Sequence, residues 1–296
     1  MSNFKGIILA GGSGSRLFPI TRATSKQLLP IYDKPLIFYS LSVLMKANVR
    51  EILIITTPKD KDFFERLLGD GSDFGIIISY ATQKHPNGIA ESLIIGRSFI
   101  GKSNFFLILG DNIFYHPNLS EFLSKASSKN EGATIFGHSV NDPSRFGVIE
   151  FSDSGEIRDI KEKPLHPKSD IAVTGLYIYD NIALKYVAEL KPSNRGELEI
   201  TDLNKIFLEL NLLNVCILQK DSIWMDTGTN DALLDASIFV KKMQEVSNIQ
   251  IGCLEEVALN KGWISIEKFK KLIKRNEKSV YGNYLKKCLE EKLSGS

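Results

Sequence analysis

Apolar residues along the chain gather into short continuous runs. GIILA (6–10), EILIITT (51–57), GIIISYA (75–81) and FFLILG (105–110) predict strands buried on both faces of a sheet. Between them, residues 35–49, 61–70 and 88–100 predict helices. Strand alternating with helix implies crossover connections and a mostly parallel sheet. Residues 132–180 differ: closely spaced strands with turns such as Asp153–Gly155 predict antiparallel pieces. After Asp226 the pattern turns helical, with Ala232, Ala236, Phe239, Val240 and Met243 on one face. Residues 265–276 predict a helix capped by Ser265 that stacks Ile266, Phe269 and Ile273, and residues 279–293 predict another.

Composition narrows the class. At 296 residues with 43% hydrophobic content, the chain can bury a large core. Its 37 basic and 35 acidic residues leave a net charge of +2, which argues against a surface that coats nucleic acid but not against small anionic ligands. Cys216, Cys253 and Cys288 show no motif spacing, which fits buried thiols in a reducing cytoplasm and offers no cysteine zinc site. No apolar run approaches the ~20 residues of a membrane span, and no signal peptide is expected. The basic residues of the last helices read as a solvated face.

Candidate chemistry begins at LAGGSGSR (9–16), a glycine-rich turn leaving a buried strand. It is not a P-loop, which would need Gly-Lys-Ser/Thr. It is not the dinucleotide fingerprint either, since Leu17 stands where the third glycine would be. Glycines let backbone N–H groups approach an anion, and Arg16 adds a fork suited to phosphate oxygens. Lys26, in SKQLLP (25–30), is a second cation near this nest, though a loop lysine is ordinarily solvated. In parallel sheets ligands bind beyond the carboxyl ends of the strands. Gln83 and Asp111 fall at such ends. Asp111 and Asp226 each read as a turn or cap residue, or as a magnesium ligand beside the phosphates. In KEKP (161–164), Lys163 can hold a monophosphate and Glu162 can accept sugar hydroxyls; an exposed strand end is the plain alternative. Gln83 and Gly88 can read a base edge, the glutamine amide both donating and accepting. The four histidines show no metal spacing, and there is no serine–histidine–carboxylate pattern.

The ordered set GIILAGGSGSRLFPITRATSKQLLPIYDKPLIFY, LILGDNIFY, DPSRFGVIEF, KEKP, VTGLYIYD, RGELEITDLN and WMDTGT resembles the glucose-1-phosphate thymidylyltransferases of the short bacterial type, over essentially the whole chain. The resemblance implies an α/β, Rossmann-like, mostly parallel mixed sheet flanked by helices, with antiparallel additions. It implies a nucleotidyltransferase core over 1–228, with a nucleotide part of about 1–130 and a sugar-phosphate part of about 131–228. Residues 229–296 would be a helical segment packed on that core. The implied reaction joins dTTP and glucose 1-phosphate into dTDP-glucose and pyrophosphate, with Mg2+, in a cytoplasmic homotetramer. It also implies feedback by a dTDP-sugar such as dTDP-rhamnose, at a separate site to which no residues are assigned, and a role in cell-surface polysaccharide synthesis.

By motif, Leu9, Gly11, Gly14, Ser15 and Arg16 would line the nucleotide and its phosphates. Lys26 would grip the leaving pyrophosphate, with Gln27 nearby. Gln83 and Gly88 would bind thymine, and Asp111 and Asp226 would hold magnesium. Gly147, Glu162, Lys163 and Val173 would seat the sugar phosphate, with Trp224 close by. Ser15, Phe146 and the stretch NGIAES (87–92) depart from the family pattern, and Glu91 brings a charge to the base pocket. A related sugar-1-phosphate nucleotidyltransferase using UTP or another sugar phosphate, and a non-catalytic sugar-nucleotide binder, are the alternatives.

Overall fold

In the computed structural model, which describes residues 4–12, 14–128, 130–219 and 221–295, the chain opens with strand β1 (Phe4–Ala10). A small hairpin of β2 (Pro30–Ile31) and β3 (Lys34–Pro35) leads into α1 (Ile37–Lys46). Then come β4 (Glu51–Thr56), α2 (Lys61–Leu68), β5 (Ile77–Thr82), α3 (Glu91–Ile95), α4 (Arg97–Ile100) and β6 (Asn104–Leu109). These four long strands lie parallel in the order β6-β1-β4-β5, so Ile7 pairs with Leu107 on one side and Leu53 on the other. Ile7, Ile8, Ile54, Ile55, Leu107 and Ile108 are fully buried, the reason their runs carry no polar alternation. The helix expected over 88–100 breaks at Gly96, where an added Cβ would meet Ile7 Cδ1 at 2.9 Å. The weak helix former sits where the chain must approach the sheet closely.

The second half adds β7 (Asn112–Tyr115), α5 (Leu119–Ser128), β8 (Ala133–Ser139), β9 (Gly147–Phe151), β10 (Ile157–Glu162) and β11 (Ile171–Tyr179). β11 pairs antiparallel with β6, β8 and β9, and β10 closes that edge on β9. The β9–β10 turn falls at residues 153–155, with Gly155 at φ +82°. After α6 (Ala183–Val187) and α7 (Ile200–Glu209), β12 (Leu213–Ile217) pairs parallel to β8, because the two helices return the chain to the end of the sheet where β11 finishes and β8 begins. β13 (Ile223–Asp226) pairs antiparallel with β7 in a separate two-stranded sheet.

The chain finishes with α8 (Asn230–Ser247), α9 (Leu254–Asn260), α10 (Ile266–Arg275) and α11 (Val280–Ser294). Thr229, Ser265 and Ser279 cap α8, α10 and α11, each side chain accepting a backbone N–H of the first turn. Thr229, not Asp226, therefore caps the helix after β13. Leu254, Phe269, Ile273 and Leu285 from these helices join Ile8, Leu41, Leu44 and Ile54 in one apolar cluster, so the C-terminal helices share the core on one face of the parallel sheet. The opposite face packs Leu93, Tyr179, Leu203 and Phe207. Cys253 and Cys288 are buried free thiols, while Cys216 is half-buried. Among the described residues no helix is long and apolar enough to cross a membrane.

Candidate active site

β1 hands the chain to β4 on one side, while its other neighbour, β6, arrives only after the crossover through α3 and α4. The loops after β1 and β6 therefore diverge, and a crevice opens at their carboxyl ends. Half-buried Leu9 closes the junction, its carbonyl accepting the Gly110 N–H at 2.9 Å. Beyond it the chain turns at Gly14, whose φ of +60° suits glycine and whose carbonyl accepts the Thr21 hydroxyl at 2.8 Å. A short turn over Ser15–Leu17 follows and carries Arg16 toward Gly228. A Cβ on Gly228 would lie 3.4 Å from both terminal guanidinium nitrogens and 2.8 Å from Asp226 Oδ2. A side chain there would crowd the end of Asp226 beside Arg16.

Lys26 is not a solvated loop residue. Only 6% exposed, it donates from Nζ to Asp111 Oδ2 at 2.7 Å. Gln27 is buried beside it and accepts the Ser25 hydroxyl at 2.7 Å. Asp111 Oδ1 accepts from Asn112 Nδ2 at 2.9 Å, and its backbone carbonyl accepts both the N–H and the hydroxyl of Thr227. The turn after β13 is thereby pinned to the turn after β6, which brings Asp226 to Asp111. Burial, and then the Asp111 charge, raise the Asp226 carboxyl above its ordinary value; Lys26, Arg16 and Arg145 oppose that shift. Arg145 stands 3.7 Å from Asp226 Oδ2.

Two mutually repelling carboxylates, one of them largely buried, fit a divalent cation. Among the described residues no group of three or more His, Cys, Asp or Glu can hold a metal ion. Asp111 and Asp226 alone would leave most of a coordination shell to phosphate oxygens and water, which is magnesium's preference.

Arg16, Asp111 and Asp226 line one side of a cavity of about 500 Å³, whose other walls include Gly147, Glu162, Lys163, Val173 and Trp224. Glu162 accepts the Thr201 hydroxyl at 2.6 Å, with Lys163 Nζ and an Arg195 nitrogen 3.6 and 3.7 Å from its other oxygen. Lys163 holds a left-handed φ of +42°, unfavourable for a side-chain-bearing residue, and its N–H bonds the Phe146 carbonyl at 2.9 Å. Trp224 donates from Nε1 to Asn112 Oδ1 at 2.6 Å and meets Phe146 edge-on. Asn112 Oδ1 also accepts the Gly175 N–H at 3.1 Å.

The expected base-binding residues lie outside this cavity, beside the glycine loop. A Cβ on Gly11 would sit 2.8 Å from Gln83 Oε1. Gln83 is buried; its Nε2 donates to the Gly88 carbonyl at 3.1 Å and to Glu91 Oε2 at 2.7 Å. The Gln83 donor groups are therefore already engaged, in contrast to an amide that offers both polarities. Gly88 has φ +105°, and a Cβ there would strike the Leu198 carbonyl at 2.3 Å. That close approach fastens the loop to the segment before α7.

Four further polar residues belong to the arrangement: Asn112, Arg145, Thr201 and Glu91. The first three sit inside LILGDNIFY, DPSRFGVIEF and RGELEITDLN, next to strand or helix ends. Their position was the available signal; their partners lie far along the chain.

A family profile for nucleotidyl transferases matches residues 5–243. A glucose-1-phosphate thymidylyltransferase from Neisseria meningitidis is 54% identical over 287 residues, covering 97% of this chain and all of the relative. A solved Bacillus anthracis structure, assigned to the glucose-1-phosphate thymidylyltransferases and holding sucrose, superposes with a TM-score of 0.74 at 41% identity, covering 80% of this chain and 94% of that one. UDP-glucose pyrophosphorylase complexed with UDP-glucose gives 0.70 at 27% identity, covering 82% of this chain and all of the other. A charged crevice at the turning point of the sheet, a profile match over most of the length and a full-length relative sharing over half its residues agree: the chain belongs to the nucleotidyl transferase family, among the glucose-1-phosphate thymidylyltransferases.

Proposed function

We propose that this enzyme transfers a thymidylyl group from dTTP to α-D-glucose 1-phosphate. A phosphate oxygen of the sugar attacks the α-phosphorus, a new P–O bond forms in line, the α–β bridge breaks, and pyrophosphate leaves with dTDP-glucose as product. The observation that carries the reading is the single cavity in which Arg16, Asp111 and Asp226 face Glu162, Lys163 and Trp224. The nucleophile is already anionic, so no strong general base is needed, and catalysis rests on positioning and charge stabilisation. Arg16 and Lys26 neutralise the triphosphate, and Lys163 orients the attacking phosphate. Glu162 accepts sugar hydroxyls, while Gly147, Val173 and Trp224 shape the seat. Gly11, Gly14, Ser15 and Gln27 line the nucleotide with Leu9, and Gln83 and Gly88 take the thymine. Asp111 and Asp226 would hold Mg2+, which supplies charge neutralisation at the phosphates.

The family resemblance also supports a cytoplasmic homotetramer, feedback by a dTDP-sugar such as dTDP-rhamnose, and supply of cell-surface polysaccharide synthesis. The test is pyrophosphate release with glucose 1-phosphate and magnesium across dTTP, UTP, CTP, GTP and ATP. Fast release with dTTP, lost on chelation, is the expected result. Preference for UTP would move the protein to the uridylyl side of the family. No release with any nucleotide would overturn the assignment.

A further inference from the structure

Gln83 Nε2 carries two N–H groups, and both face acceptors that cannot donate in return: the Gly88 carbonyl and, at 2.7 Å, the Glu91 carboxylate. The surroundings therefore dictate the amide orientation, since turning it over would set oxygen against oxygen. Glu91 is held in its turn. It sits in the first turn of α3, and its Oε1 accepts from Asn87 Nδ2 at 2.8 Å. Gln83 Oε1 is left pointing at Gly11 and accepts no hydrogen bond among the described residues.

We infer that Glu91 is a positioning residue that locks Gln83 as an acceptor-only contact for the nucleobase, and so sets which base the pocket takes. This rests on the reading that Gln83 and Gly88 bind the base. An acceptor opposite ring N3 selects a base that presents an N–H at that position. Thymine and uracil do so at the imide N3–H, whereas cytosine presents a lone pair at N3. Glu91 touches no substrate; it acts through the amide of Gln83. Replacing it with glutamine loosens the lock, because a carboxamide can meet Gln83 with either its oxygen or its nitrogen and only the Gly88 carbonyl still opposes the turned-over amide.

The experiment measures kcat and KM for dTTP, dCTP and glucose 1-phosphate in the wild type, Gln83→Ala, Glu91→Ala, Glu91→Gln and the double alanine variant. A thermal melt of each variant serves as the folding control. Gln83→Ala and Glu91→Ala are each expected to raise KM for dTTP about tenfold, the upper end for one hydrogen bond between neutral groups. KM for glucose 1-phosphate should stay unchanged and kcat should stay within about threefold. The double variant should be no worse than Gln83→Ala, since both changes remove one device. Glu91→Gln should bind dTTP nearly as well as the wild type, yet lose about tenfold of its preference over dCTP. If Gln83→Ala is impaired while Glu91→Ala is not, or if the two effects multiply, the lock is wrong and the base pocket stands. If Gln83→Ala leaves KM for dTTP untouched, the base lies elsewhere and both ideas fall, though wild-type turnover of dTTP would still support thymidylyl transfer. If Glu91→Ala does not fold, the nucleotide preference of Glu91→Gln decides: an unchanged ratio overturns the lock.

Discussion

Replacing Asn112 with alanine should loosen the junction between the two small-sheet strands and the main sheet, and the cost can be worked from its bonds. Asn112 is 2% exposed, and its Oδ1 accepts from Trp224 Nε1 at 2.6 Å and from the Gly175 N–H at 3.1 Å. Alanine strands both donors. A buried donor left without a partner costs about 1–3 kcal/mol, so the pair implies about 2–6 kcal/mol. The adjoining cavity lets water satisfy part of that loss, which places the expected value near 2–3 kcal/mol. For a chain of 296 residues, with about 2.1 cal/mol/K of unfolding entropy per residue, the melting temperature should fall by roughly 3–5 °C. Trp224→Phe removes one donor and keeps most of the ring, at a cost of about 1 kcal/mol. In the double variant no indole N–H remains to be stranded, so the combined cost should be smaller than the sum by about 1–2 kcal/mol. Urea unfolding followed by far-ultraviolet circular dichroism, extrapolated linearly to water, measures all three. Additivity within about 0.5 kcal/mol would refute the reasoning, because the Asn112–Trp224 bond would then carry no energy of its own.

Asp226→Asn should separate stability from activity. The folded-state carboxyl of Asp226 titrates above its ordinary 3.8, so its contribution to stability is present below that value and lost as pH rises through the folded pKa. Above that window burial and the Asp111 charge work against the fold. The amide variant should therefore melt higher by calorimetry, with the gap closing toward pH 3.8, while turnover falls roughly 100- to 1000-fold. Lys26→Met removes the ammonium bonded to Asp111 and should lower turnover by about the same 100- to 1000-fold in a pyrophosphate-release assay; near-normal turnover would remove Lys26 from the chemistry. Ser265→Ala deletes the cap of α10 and should cost about 1 kcal/mol in urea unfolding, with kcat and KM unmoved.

The parallel half of the sheet was legible because its strands are buried on both faces and leave unbroken apolar runs. β12 and β13 were not. LNVCI places a polar residue among half-buried neighbours, and IWMD is only four residues long, so neither leaves a period to read. In the site, the glycine turn and the individual charges stood out by residue type. Their pairing did not. Lys26 reads as a loop lysine until the fold brings Asp111, 85 positions away, to within 2.7 Å. The amide of Gln83 offers both polarities on paper. Its orientation depends on a carbonyl at Gly88 and a carboxylate three residues beyond, which only the folded loop brings together.

The dipeptide Asp111–Asn112 has a consequence for engineering. Its two consecutive side chains are bonded to each other and divide their remaining contacts: Asp111 meets Lys26 from the earlier part of the chain, and Asn112 meets Gly175 and Trp224 from the later part. The earlier and later stretches of the chain are thus keyed to one another through adjacent positions, like two jigs clamped to one pin. A second joint lies at Leu198, two residues before α7, whose backbone bonds Asn87 and Ala90 and so ties the loop around Gln83 to the wall built from Glu162 and Thr201. A designer who varies either substrate preference should therefore hold both the Asp111–Asn112 pin and the Leu198 joint fixed.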